Sequence, residues 1–335
     1  VSHEVRQNKA TKEWVLYATS RGDRPHDVPD TPVQQTDIPD YDTDCPFCPG
    51  NESQVEKIIA EQCDATTGHW QTRVMPNKYP VVVPHGDATR SQHGLYLTMP
   101  AYGRHEVIVE HPVHNQDIAT MTPHEVEQVI ETYHRRYRDL MTIREHMLII
   151  IFRNHGTQAG TSLLHPHSQI VATGFVPNYI RWREEEARRY FDEWGCCVFL
   201  DMLAFEQQEQ RRIVVENDTF LAFVPFAAIV PFEVWIMPKR PQADFGVISD
   251  GEKSDLAHAL REVLSRLRYK LNNPDYNYII NTPARYQRNE PHLQWYLQVR
   301  PRLTTTAGFE IGSGISVNPS LPEEDADVLN SREMA

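Results

Sequence analysis

The chain has 335 residues, a formal charge of −13 and enough apolar residues, 40%, for a sizeable core. That length suits either two lobes or one large α/β unit. The acidic balance argues against a general binder of nucleic acid or anionic membrane, while leaving room for a basic pocket around one phosphate.

No apolar run approaches the ~20 residues of a membrane span, and the N-terminal VSHEVRQNKATKEW lacks a signal-peptide core. Five cysteines, two of them in a Cys-x-x-Cys, do not resemble a secreted disulfide framework. A cytoplasmic protein without membrane or nucleic-acid partners is expected.

In chain order, residues 21–50 are rich in Pro, Asp and Thr and predict an irregular approach to CPFCPGNE. Within it, RGDRPHD offers Arg21 and Arg24, whose planar guanidiniums suit phosphates. RVMPNKYP then offers Asn77, Lys78 and Tyr79 for ribose and base contacts, although a turn Asn and surface cations are common without any ligand.

Two later stretches read alike. The first runs from RHEVIVEHP through VEQVIETYHRRYRDLM to MLIIIFRNHGTQAGTSLLHPHSQIVAT, and the second from PFEVWIMPK through LAHALREVLSRLRYKL to YNYIINTPARYQRNEPHLQWYLQVRPR. Each gives a strand opening on Glu-Val, a proline-containing turn, an amphipathic helix, a strand, a polar loop and a final alternating strand. Val126, Val129, Ile130 and Tyr133, like Leu256, Leu260, Val263 and Leu267, have helical apolar spacing. Thr122–Pro123 and Ser254 are candidate helix starts. An internal duplication of an α+β unit follows, with boundaries expected at 1–180 and 181–335. Only the first copy carries HPHSQIV, where the second has LQWYLQV, so one catalytic and one supporting half are expected. Between them, Glu184 to Arg212, with charges of both signs and Cys196 and Cys197, reads as a solvated insertion; a helix with an interface is the alternative.

Cys45 and Cys48 have the spacing of a zinc knuckle, and zinc needs about four ligands. His165 and His114 are candidates for the remaining two; a reduced, metal-free thiol pair is the other reading. In HPHSQI, His165, His167 and Gln169 recur at every second position, so a strand would line them along one face. His167 could be a structural histidine, a metal ligand, or a nucleophile or base. Its upstream loop of Gly156, Gly160, Thr161 and Ser162 favours the last, because small residues let backbone N–H groups and a hydroxyl approach phosphate oxygens. A neutral imidazole anchored through Nδ1–H leaves Nε2 free to attack phosphorus, and Gln169 can donate to a non-bridging oxygen.

CPFCPGNE, MPNKYP, FRNHGTQAGTSLLHPHSQI, PFEVWIMPK and LQVRPRLTTTAGFEIGSGISVNPSLPE occur in that order. Together they resemble the galactose-1-phosphate uridylyltransferase family, the transferase branch of the histidine-triad superfamily. The resemblance implies two similar α+β halves, each an antiparallel sheet with packed helices. It implies ping-pong nucleotidyl transfer through a covalent intermediate on His167. It also implies structural Zn2+ on Cys45, Cys48, His114 and His165, phosphate contacts from Asn154 and Ser162, and a transferase rather than a hydrolase because Gln169 stands where hydrolases carry a third histidine. A homodimer with shared active sites is implied as well.

The chain departs from the sugar-transferring type. Tyr296-Leu-Gln298 and Asn281 stand where that type often has histidines for a second metal, so no second metal is expected. The loop and AGFEIGSG look closer to members handling adenylyl compounds. The expected donor is adenylylsulfate, giving ADP and sulfate with phosphate as acceptor; ADP-glucose is the related donor. Glu310 matches a sugar-contacting position and keeps a UDP-sugar uridylyltransferase as an alternative. A zinc-stabilised nucleotide-binding protein is the non-enzyme alternative.

Overall fold

The structure is a computed structural model that describes residues 3–21, 38–64, 66–86 and 88–331. Strands β1 (His3–Gln7) and β2 (Trp14–Ala18) form an N-terminal hairpin. β3 (Ala60–Cys63), β4 (Trp70–Pro76), a small hairpin of β5 (Ser91–His93) and β6 (Tyr96–Thr98), and β7 (Gly103–Val109) follow. Helix α1 (Pro123–Met141) leads to β8 (Leu148–His155) and β9 (His167–Thr173).

Two helices, α2 (Asn178–Trp194) and α3 (Val198–Glu209), connect to β10 (Ile213–Glu216), β11 (Phe220–Phe223) and β12 (Val234–Pro238). Helix α4 (Asp250–Lys270), β13 (Tyr276–Asn281) and β14 (Tyr296–Pro301) repeat the first pattern. The chain closes with α5 (Gly308–Ser313), β15 (Ser316–Asn318), which pairs parallel with β2, and α6 (Pro322–Asn330).

Ten strands make one antiparallel sheet in the order β10-β11-β12-β14-β13-β8-β9-β7-β4-β3. The order is palindromic about the β13–β8 seam: β8 and β9 with β7 in one half correspond to β13 and β14 with β12 in the other. The duplicated α+β unit is thus present, with its two sheets joined edge to edge through pairs running from Tyr276↔His155 to Ile280↔Ile151. Joining the copies removes two exposed strand edges at once.

One face carries α1 and α4. Val126, Val129, Ile130 and Tyr133 of α1 and Leu256, Leu260, Val263 and Leu267 of α4 pack with Ile108, Ile151, Ile170, Tyr278 and Leu297 of the sheet. Thr122 caps α1 with Pro123 in the first turn and a reciprocal Glu125 contact. The second helix starts earlier than Ser254: Ser249 is its cap, paired with Glu252. Ser249 satisfies the first-turn amides together with a glutamate three residues on, a box Ser254 could not build inside the apolar repeat.

The opposite face differs between the halves. Over the second half, Ala187 of α2 and Val198, Phe199 and Leu203 of α3 bury Phe223, Trp235 and Tyr296. Glu184–Arg212 is therefore a helical cover rather than a solvated insertion; its charged runs mask an apolar stripe, and Arg183, Glu184 and Glu206 are themselves buried. Over the first half that face holds His167 and Gln169. Residues 38–50 are irregular, as expected; residues 22–37, and Arg24 with them, lie outside the described residues. Among the described residues no helix is long and apolar enough to cross a membrane.

Candidate active site and metal centre

Cys45, Cys48, His114 and His165 converge, all buried, with ligand atoms within 4.8 Å of one another. Cys48 Sγ lies 3.5 Å from His114 Nδ1 and 3.6 Å from His165 Nδ1, and Cys45 Sγ lies 3.7 Å from His165 Nδ1. Tetrahedral zinc with ordinary Zn–S and Zn–N bonds would separate sulfur from nitrogen by about 3.6 Å. The donor set and its spacing therefore fit Zn2+. His165 Nε2–H donates to the carbonyl of His111 at 2.7 Å, which directs Nδ1 to the thiols, the usual outer-shell arrangement of a ligating histidine. Burial holds the His165 imidazole down to about 4 and pushes the Cys45 thiol up to about 11, so filling the site would displace thiol protons but none from His165. Four protein ligands close the shell, which suits a structural ion.

His165 does not belong to the strand. β9 begins at His167, paired with Val109 of β7, because Pro166 has no N–H for the ladder. The break lets His165 turn towards the cysteines while His167 and Gln169 continue along the strand. His167 is 7% exposed. Its Nδ1–H donates to the carbonyl of His165 at 2.8 Å, leaving the Nε2 lone pair unengaged by that bond. Burial holds its imidazole below the usual range, against the pull of the His165 carbonyl. Phe47, between the two cysteines, sets its ring edge-on to both His165 and His167 at centroid separations of 6.0 and 5.4 Å.

Gln169 Oε1 accepts from His105 Nε2 at 2.7 Å and from Asn77 Nδ2 at 3.3 Å. Its side-chain NH2 is thereby turned away from that pair. Asn154 is arranged the same way: its Oδ1 accepts from Asn277 Nδ2 at 2.8 Å, and Asn277 lies directly across the seam. Asn277 also donates to the carbonyl of Ala159 and accepts from Arg302 Nε. The second half thus props the loop that leads to His167. That loop turns at Gly156, φ +83°, and at Gly160, φ +90°, conformations that disfavour any side chain with a Cβ. Gln158 N–H donates to Asp275 at 2.6 Å. The cleft beside His167 is lined by Asn154, Gly156, Thr161 and Leu163; Ser162, next to Thr161, is exposed.

Other expected residues fall further out. Lys78 and Tyr79 are exposed on the turn after β4, with Tyr79 N–H donating to Asn77 Oδ1 at 2.8 Å. Glu310 accepts from the Ala307 and Val317 amides, so its carboxylate holds α5 and β15 together, and neither bond reaches the histidine motif. Arg21 ends a short turn after β2. The sequence reading did not single out His105, Asn277, Asp275 or Arg302. Strand alternation could have flagged His105, a polar residue on the face of β7 that also carries Val107 and Val109; Asn277 and Asp275 act across more than a hundred residues of chain, and Arg302 acts through Asn277, so none of the three leaves a local signal.

Two family models match the chain: galactose-1-phosphate uridyl transferase, N-terminal domain, over residues 1–177, and its C-terminal domain over residues 183–298. Among curated relatives, ADP-glucose phosphorylase of Arabidopsis thaliana is 31% identical over 98% of this chain and 92% of its own. Galactose-1-phosphate uridylyltransferase of Thermotoga maritima is 29% identical over 99% of both. The crystal structure of the Arabidopsis ADP-glucose phosphorylase with bound ADP-glucose superposes with a TM-score of 0.86 at 30% identity, covering all of both chains. A uridylyltransferase structure gives 0.74 at 26% identity over 98% of this chain and 97% of its own.

Proposed function

The chain belongs to the galactose-1-phosphate uridylyltransferase family and is a nucleotidyltransferase, and we propose that it transfers an adenylyl group to inorganic phosphate through a covalent intermediate on His167. The observation that carries this reading is the single-tautomer His167, with Nδ1–H anchored and Nε2 available, beside a Gln169 whose carbonyl is already bonded and whose NH2 is free to donate. An unprotonated, buried imidazole is a competent nucleophile, and an aimed amide can stabilise charge building on the phosphoryl oxygens.

In the first half-reaction Nε2 bonds to the α-phosphorus of ADP-glucose, the bond from that phosphorus to the bridging oxygen breaks, and glucose 1-phosphate leaves. In the second, a phosphate oxygen bonds to the same phosphorus, the P–N bond breaks, and ADP is released. ADP-glucose is favoured as donor by the likeness to a phosphorylase that carries ADP-glucose in its crystal structure. Adenylylsulfate, the donor expected from sequence, would give the same adenylyl-enzyme with sulfate leaving. UDP-glucose would give a uridylyl adduct.

The test is intact mass after incubation with ADP-glucose, adenylylsulfate or UDP-glucose, in wild type and His167→Asn. An AMP adduct that is absent from the variant, and that phosphate discharges as ADP, supports the reading. A UMP adduct alone would move the chain to uridylyl transfer, and no adduct from any donor would remove the covalent scheme. The released product separates the two adenylyl donors. Cytoplasmic location and a homodimer complete the proposal; sedimentation of the purified chain tests the second.

A further inference from the structure

His105 sits on β7, 8% exposed, with both ring nitrogens engaged. Val81 N–H donates to its Nδ1 at 3.2 Å. An Nδ1 that accepts leaves the proton on Nε2, and Nε2 faces Gln169 Oε1 at 2.7 Å. Asn77 is oriented by the same logic: Tyr79 N–H donates to its Oδ1, so its NH2 faces outward, 3.3 Å from Gln169 Oε1 and 3.2 Å from His105 Nε2, which as a fellow donor leaves Gln169 Oε1 as the acceptor. A backbone bond from Asn77 N–H to the His105 carbonyl, 2.9 Å, locks the two partners together. Two donors with fixed orientation therefore converge on one carbonyl oxygen. A flipped Gln169 would set its NH2 against both of them and present an oxygen to the phosphoryl group.

We propose that His105 is a positioning residue for nucleotidyl transfer, which fixes the side-chain amide of Gln169 so that its NH2 faces the reacting phosphoryl oxygen. The inference rests on the covalent reading above. A neutral imidazole has one donor and one acceptor nitrogen, and burial makes either costly to leave unpaired. Here both are used, and the acceptor at the end of the chain Val81–His105–Gln169 is the motif glutamine two positions after His167. Burial, which holds the His105 imidazole below its usual range, keeps the neutral ring that this arrangement needs.

The experiment is a double-mutant cycle read by the single-turnover rate of adduct formation with ADP-glucose. Zinc content and melting temperature are measured on every protein. His105→Phe keeps the bulk and removes the donor, and should slow adduct formation about 10- to 100-fold, the range for losing one well-aimed oxyanion donor. Donor affinity, measured by binding to the His167→Asn background, should stay within about threefold, as for an interaction made chiefly in the transition state. His105→Gln, whose amide N–H reaches close to the place of Nε2, should restore most of the rate.

In Gln169→Ala, adding His105→Phe should change the rate by less than about twofold, since residues acting through one contact are non-additive. Full additivity, or a His105→Phe enzyme as fast as wild type, overturns the proposal. If His105→Phe does not fold, His105→Asn, too short to reach Gln169, takes its place in the cycle. A wild type that forms no adduct would instead remove the covalent reading itself, which the same assay records separately.

Discussion

His165 and His167 are linked through the backbone as well as by sequence: the carbonyl of His165 accepts the Nδ1–H of His167 at 2.8 Å, while the His165 ring turns its own Nδ1 to Cys45 and Cys48. The residue that would ligate the metal therefore carries the acceptor that sets the tautomer of His167, the proposed nucleophile. Emptying the centre should loosen both. Cys48→Ser, or chelation of the wild type, is expected to lower metal content, reduce the melting temperature and slow adduct formation by about 10- to 100-fold, the usual scale for disturbing the support of a site. Elemental analysis, thermal melting and intact mass report the three effects. A chelated protein with unchanged melting and adduct rate would show that the cluster supports neither.

Gly156 is the second point at which the halves depend on each other. Its φ is +83°, and a Cβ there would come within 1.8 Å of Asp275 Oδ1, the side chain whose other oxygen holds Gln158 N–H. Gly156→Ala must move Asp275 or the loop, and it also meets a backbone strain of ~1–3 kcal/mol. The loop beside His167 should shift, with adduct formation falling further than the melting temperature alone would explain. Asp275→Gly added to Gly156→Ala removes the clash but keeps the strained φ and loses the bond to Gln158 N–H, so it should recover the rate only in part. Full recovery would place the whole effect in the clash.

The duplication, the helices and the convergent residues were legible because each is written locally: apolar spacing, Thr122–Pro123, and a histidine motif beside a glycine loop. Their depth of meaning was not. His114 and His165 were candidates beside Cys45 and Cys48 from the sequence, but only the resemblance joined the four into one set, since they lie up to 120 residues apart and meet because β7, β9 and the approach loop share one end of the sheet. The cover by α2 and α3 was misread because charged residues dominate the stretch, while the buried stripe of Ala187, Val198, Phe199 and Leu203 is spread over two helices. Ser254 was misplaced as a cap because it precedes the apolar repeat, whereas the helix runs one turn before it.

Arg183 occupies the middle of a polar chain over the second half. Its Nη1 donates to Asn281 Oδ1 at 2.7 Å and reaches Tyr296 Oη at 3.4 Å, while Asn281 Nδ2 donates to Gln298 Oε1 at 3.3 Å. These are the positions where the sugar-transferring type was expected to carry histidines. Here a buried guanidinium, Asn281, Tyr296 and Gln298 satisfy one another, with Gln298 donating on to the buried Glu233 at 2.7 Å, and the imidazoles that would ligate a second metal are replaced. Purified protein should hold one zinc per chain, and two would contradict this. Arg183→Met should cost ~1–3 kcal/mol by leaving Asn281 and Tyr296 short of a partner, measured by urea unfolding, with zinc content unchanged.

Asp325, on α6, is fully buried and accepts from Phe232 N–H at 2.8 Å and from the Ser320 hydroxyl. Burial, opposed by those two bonds and reinforced by Glu324 and Glu323, raises its carboxyl from 3.8 to about 6. The folded state then binds this proton more tightly than the unfolded chain. Its contribution to stability is fully present in acid and is lost as pH rises through about 6. Between pH 8 and pH 5 the shift should favour the fold by on the order of 1 kcal/mol. Asp325→Asn is neutral throughout, so the stability difference between wild type and variant should move by that amount in favour of the wild type as pH falls from 8 to 5. Urea unfolding of both proteins at the two pH values measures it. A difference that stays constant would mean that Asp325 titrates as it does in the unfolded chain, and that the hydrogen bonds from Ser320 and Phe232 fully offset its burial.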